Sequence, residues 1–78
     1  MQVTITEGQL KASNACPVYL DSPEWDDEQR ALVYSDWEST ATRLLSTRAG
    51  TGYLQFLVSR ALVPMTAEEF ARAAGRSL

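Results

Sequence analysis

The side chains able to carry chemistry in this chain are mostly carboxylates, and they are unevenly placed. Seven of the ten lie between Asp21 and Glu38: Asp21, Glu24, Asp26, Asp27, Glu28, Asp36 and Glu38. Arg30 is the lone cation among them, so the stretch carries a net charge of −6 while the rest of the chain is net positive. Carboxylate pairs serve as acid and base in glycoside hydrolysis, but consecutive residues such as Asp26, Asp27 and Glu28 point in different directions on a helix. The Asp-x-Asp-x-Asp-Gly spacing of a calcium loop, with its distal glutamate, is absent. There is no histidine, so the usual proton-transfer group near neutral pH is missing, and neither a Ser-His-Asp nor a Cys-His arrangement can form within one chain. Cys16 could serve as a nucleophile, a thiol that pairs between copies or a small buried hydrophobe; with no surrounding cluster of cations to activate it, burial is favoured. A single thiol forms no intramolecular disulfide and, without histidine, no structural zinc set. Gly50-Thr51-Gly52 is not followed by Gly-Lys-Ser/Thr, so it reads as a turn between helices rather than a phosphate loop. The expectation is a protein that is not an enzyme and takes no metal or cofactor.

Clustered carboxylates suit binding better than catalysis. Direct nucleic-acid binding is disfavoured, because affinity for phosphates rests on clustered Lys and Arg, whereas this chain has one lysine and scattered arginines. An acidic face would instead dock on a basic protein surface, such as a groove that normally holds nucleic acid, with charge steering the encounter. The candidate partner-binding residues are Asp21, Glu24, Trp25, Asp26, Asp27, Glu28, Asp36 and Glu38. Trp25, amid carboxylates, is expected to be exposed, whereas Trp37 reads as core. The competing explanation for the same charges is helix capping and solvation. A different reading has Tyr53, Phe56 and Trp25 making an apolar contact between copies, a homodimer that would relieve a small core.

These residues must be positioned by short elements. Gln2 to Thr6 alternates polar and apolar, as in a short N-terminal strand or an extended lead-in, and Thr4 or Thr6 caps a helix through Ala12, with Asn14 at its end. Pro17 opens a short apolar helical turn through Leu20. Ser22-Pro23 reads as another helix start, with Glu24, Asp26 and Asp27 in the first turn. Arg30 to Tyr34 continues that helix or forms a brief strand; helix is favoured. Ser35-Asp36-Trp37-Glu38 matches a capping box opening a helix over about 36 to 49, with Trp37, Ala41, Leu44, Leu45 and Arg48 on one stripe and Gly50 ending it. Leu54, Leu57, Val58, Ala61 and Leu62 give the clearest amphipathic pattern, stopped by Pro64. Thr66-Ala67-Glu68-Glu69 is a second capping box, opening a last helix with Phe70 and Ala74 inward and Gly75 past its end.

The fold expected is mainly α, a compact bundle of four to five short helices with one short N-terminal strand, forming a single helical domain over residues 1–78. With 45% hydrophobic and 22% charged residues the composition is that of a globular chain. No apolar run approaches the roughly 20 residues needed to cross a bilayer, and the N-terminus lacks a signal-peptide pattern. The default compartment is a reducing cytoplasm, and no membrane association is expected.

Two stretches carry a resemblance. Leu10-Lys11-Ala12-Ser13-Asn14-Ala15-Cys16 resembles the Leu-x-x-x-x-Ala-Cys opening of small phage and prophage accessory proteins. Tyr53-Leu54-Gln55-Phe56-Leu57-Val58-Ser59-Arg60-Ala61-Leu62-Val63-Pro64 is similar to their aromatic-led helix ending in Leu-x-Pro, which another short amphipathic helix follows. The resemblance covers under half the chain, and the acidic middle departs from it. It implies a mobile-element origin. The small, acidic, motif-free profile is also similar to that of anti-CRISPR proteins, which implies binding to a subunit of a CRISPR interference complex and occlusion of target DNA or of nuclease recruitment.

Overall fold

The computed structural model describes residues 1–77. The chain runs β1 (Val3–Thr6), α1 (Glu7–Ala12), a 3-10 turn (Pro17–Asp21), β2 (Trp25–Asp26), β3 (Ala31–Tyr34), α2 (Trp37–Leu45), α3 (Arg48–Ser59) and α4 (Ala67–Ser77). The fold is therefore mainly α, with a small three-stranded antiparallel sheet in the order β1-β3-β2.

Much of the local grammar operates as the residues dictate. Thr6 and Gln9 form a reciprocal capping box, the Gln9 N–H donating to Thr6 Oγ1 at 3.2 Å and the Thr6 N–H to Gln9 Oε1 at 2.9 Å. Asn14, with a φ of 58°, ends α1 in the left-handed region. Thr66 and Glu69 make the same reciprocal pair at the start of α4, at 2.9 and 3.1 Å. On α3, Leu54 and Leu57 are fully buried, as the apolar repeat requires.

The segment from Ser22 to Tyr34 departs from the helical expectation. Pro23 is followed by a two-residue strand, because Asp26 turns the chain: the Glu28 and Gln29 N–H groups donate to Asp26 Oδ1 at 3.0 and 3.1 Å. Arg30 then adopts a φ of 51° and the chain returns as β3. Its partners are non-local: Val3 pairs with Tyr34 and Ile5 with Leu32, while Trp25 also pairs with Leu32. An Ala-Leu-Val-Tyr run fits the half-buried surface of a central strand, and a small sheet stands beside the helices where local pattern favoured a further helix.

Two further boundaries differ. Asp36, not Ser35, caps α2, accepting the Ser39 N–H at 3.3 Å. The expected single helix to residue 49 breaks at Ser46, and Thr47 caps a new one, accepting the Gly50 N–H at 3.0 Å. Gly50, Thr51 and Gly52 lie inside α3, and Gly75 lies inside α4. Gly50 is required by close approach: a Cβ there would overlap the Leu44 carbonyl oxygen at the end of α2. The core joins Ile5 and Leu32 of the sheet to Leu10, Leu54 and Leu57 of the helices, with Trp37 buried beside them. Each such leucine or isoleucine contributes about 2 kcal/mol by leaving water.

Candidate functional site

A cleft of about 520 Å³ opens between the 3-10 turn and α3, within the roughly 300–1,000 Å³ range of ligand sites. One wall comes from the end of α1 and the segment after it, Leu10, Asn14, Ala15 and Cys16, continuing into Val18 and Tyr19. The other comes from Tyr53 and Phe56 of α3 and Leu44 of α2; Tyr34 of β3 lines it with Ser22 and Glu24. Tyr53 and Phe56 face the cleft together because they are three residues apart on one helix. The surface is mostly apolar, and two of its polar groups are held in hydrogen bonds.

The first is the Tyr34–Tyr53 hydroxyl pair, 3.1 Å apart. Burial pushes both phenols above their ordinary value of 10.0, so each keeps its proton. The second is Glu24, whose side chain is only 21% exposed. Ser22 Oγ donates to its Oε2 at 2.5 Å and Arg43 reaches its Oε1 at 3.0 Å. Burial pushes its carboxyl up, but the hydrogen bonds from Ser22 and Arg43 outweigh it and hold the pKa below the ordinary 4.5. The arrangement therefore offers apolar contact, aromatic rings, a charged acceptor and two neutral hydroxyls.

The acidic residues singled out from the sequence fall into separate groups along the chain. Glu24 enters the cleft wall. Asp26, Asp27 and Glu28 form the turn between β2 and β3, while Asp36 and Glu38 follow β3 at its other end. At about 3.3 Å per residue, the four residues of β3 separate the two groups by on the order of 10 Å. Several carboxylates also have structural tasks. Asp26 holds the turn and Asp36 the α2 cap; Glu38 meets the Met1 amino group at 3.0 Å, and Asp27 meets Arg30 at 3.2 Å. Arg30 is further braced by Glu7 at 2.8 Å. Asp21 and Glu28 are exposed. Trp25, expected at the surface, is half-buried: its ring lies 5.4 Å from Tyr19 and carries the Arg30 guanidinium 5.4 Å from its centroid, and its Nε1 donates to Asp27.

Cys16 is exposed rather than buried, because the extended backbone after Asn14 turns it away from the core and into the cleft wall. The roles of Tyr19 and Tyr34 were not evident from sequence; they are supplied by a 3-10 turn and a strand with no shared periodicity. Among the described residues, no group of three His, Cys, Asp or Glu is placed to hold a metal ion, and no helix is long and apolar enough to cross a membrane. Comparison with known protein families, curated proteins and solved structures finds no match.

Proposed function

We propose that this chain is a non-enzymatic binding protein that docks on a basic surface of a protein partner in the cytoplasm, in the manner of a phage-encoded inhibitor. The partner's surface would be one that ordinarily holds nucleic acid, as in a subunit of a CRISPR interference complex, so that docking occludes target DNA or nuclease recruitment. The observation that carries this reading is the braced β2–β3 turn. Asp26 closes it with two backbone hydrogen bonds, and Glu7 pins Arg30 beside it, leaving Glu28 exposed and Asp27 with 84% of its side chain in solvent. Carboxylates held in place before binding lose little freedom on docking and steer encounter with a cationic surface.

The structure also selects the informative variant. Asp26 is part of the turn and is left intact; Asp21, Asp27 and Glu28 are neutralised as Asp21→Asn, Asp27→Asn and Glu28→Gln. Three rim charges at a few tenths to one kcal/mol each correspond to a loss of roughly ten-fold in affinity at low salt. Pull-down from host lysate at low and moderate salt checks this. Equal recovery of the same partner by both proteins, with equal salt dependence, would remove the electrostatic reading.

A self-assembling module of a phage or prophage is the second reading, favoured by Tyr53 and Phe56 lying in an open cleft beside exposed Val18. Trp25 is engaged within the chain instead. Sedimentation across concentration separates the two, since a monomer at every concentration leaves only the inhibitor.

A further inference from the structure

The acidic turn explains attraction to a basic surface but leaves the cleft unused. Its composition is specific: Tyr19, Tyr34, Tyr53 and Phe56 line it together with Glu24, whose side chain is only 21% exposed. An aromatic ring attracts a cation over its face, and Arg does so while offering a planar fork to a carboxylate. Two of this chain's own arginines already lie on rings, Arg30 on Trp25 at 5.4 Å and Arg60 on Phe56 at 5.5 Å, and a third, Arg43, reaches Glu24. Arg43 is 62% exposed, so its pair is screened and exchangeable. The rim points to a polypeptide rather than a free cation. Val18, 71% exposed, lines the opening, and Leu20, 42% exposed, stands two residues further along the same turn. A small ligand seated on Glu24 would leave them wet; a chain passing over the cleft covers them.

Resting on the reading that the partner is a basic protein, we propose that the cleft seats an arginine side chain from that partner. The guanidinium meets Glu24, its aliphatic stem lies against Tyr53 and Phe56, and the residues flanking it cover Val18. The carboxylate selects charge, the aromatic walls accept both stem and guanidinium plane, and the rim requires a chain on either side. Arg43 occupies Glu24 in the free protein and competes with the incoming group.

The test is an NMR titration of the full chain with the peptide acetyl-Leu-Arg-Leu-amide, against its neutral citrulline isostere and against arginine amide alone. The arginine peptide is expected to shift Val18, Tyr53 and Phe56 signals and to bind about five-fold more tightly than the citrulline peptide, the size of one exposed cation–π contact or ion pair. Glu24→Gln should erase that preference and Arg43→Ala should increase it. Tyr53→Leu, which keeps an apolar wall without the ring, should weaken the arginine peptide selectively. Equal binding of the citrulline peptide would reduce the cleft to plain apolar docking, and binding of arginine amide as strong as the peptide would make it a site for a free cation; either overturns the proposal, as does the absence of shifts. These outcomes are independent of the acidic turn. A cleft that seats arginine in a protein whose lysate recovery ignores Asp21, Asp27 and Glu28 would sink the electrostatic reading alone, and the reverse would sink this one alone.

Discussion

Neighbouring residues of one type have different tasks here, and the backbone decides which. Asp26 is a turn residue whose oxygen accepts two N–H groups, whereas adjacent Asp27 is exposed. Among the described residues, three that are not glycine, Asn14, Arg30 and Ala61, have positive φ. Asn14 tolerates this as its type does, and Arg30 is held by ion pairs with Glu7 and Asp27. Ala61 has neither compensation. It follows the end of α3, where the Ala61 N–H donates to the Val58 carbonyl at 3.1 Å and the Leu62 N–H to that of Leu57 at 3.0 Å, the Schellman pattern that favours glycine at this position. Its methyl is exposed and contributes little packing. Ala61→Gly is therefore expected to stabilise the fold by about 1 kcal/mol, raising the melting temperature by roughly 4–8 °C in a domain of this size. Thermal unfolding followed by circular dichroism checks it, and an unchanged or lower midpoint would contradict the strain argument.

At the scale of elements, α3 contains two glycines with opposite requirements. Gly50 sits in the first turn against the end of α2, where a side chain would overlap the Leu44 carbonyl and crowd Thr47 Oγ1. Gly52, two residues on, faces open space. Gly50→Ala should destabilise the chain by at least the 1–3 kcal/mol typical of overpacking, because the clash is with backbone that cannot rotate away. Gly52→Ala should stabilise it by up to about 1 kcal/mol through helix propensity. Denaturant midpoints of the two variants measured side by side would settle it; a matching response would show that the α2–α3 junction is looser than its geometry. The same junction explains why one expected helix is two: Thr47 satisfies the new N-terminus through Gly50, and Thr51 Oγ1 donates to the Thr47 carbonyl at 2.8 Å.

For the whole molecule, stability rests on a small core, with titratable groups that limit it from both sides of neutrality. A chain this short buries only about 60% of the surface its unfolded form exposes. Folding lowers the carboxyl pKa of Glu24, so its contribution is complete above the ordinary 4.5 and is lost as pH falls through the lower folded value. Asp36 and Glu69 act in the same sense: the Ser39 hydroxyl and then its N–H hold Asp36 down, and the Thr66 backbone and then its side chain hold Glu69 down. Burial raises the Tyr34 and Tyr53 phenols, so their contribution is complete below the ordinary 10.0 and is lost as pH rises above it. Urea midpoints should therefore be level between about pH 5 and 9, falling below pH 4 and above pH 10. Tyr53→Phe should shallow the alkaline limb and leave the acid limb unchanged. An alkaline limb identical to wild type would mean that Tyr53 does not contribute to it.

Local chemistry determined a good part of this. The caps at Thr6 and Thr66, the stop after Ala12, the proline-led turn at Pro17 and the buried repeat of Leu54 and Leu57 depend on residues within a few positions of one another, and such interactions are set by spacing along the chain. The missing histidine and the clustered carboxylates are facts of composition. What only the tertiary structure decided depends on distant partners. Ser22-Pro23-Glu24 has the local signature of a helix start, yet Ala31–Tyr34 becomes a central strand because Val3 and Ile5 supply hydrogen bonds from across the chain. Gly50 looks like a terminator until Leu44 is seen against it. Cys16 looks buried until the chain after α1 turns it outward. The cleft draws Tyr19, Tyr34, Tyr53 and Glu24 from a 3-10 turn, a strand, a helix and a loop, and no spacing rule along the chain brings four such elements to one place.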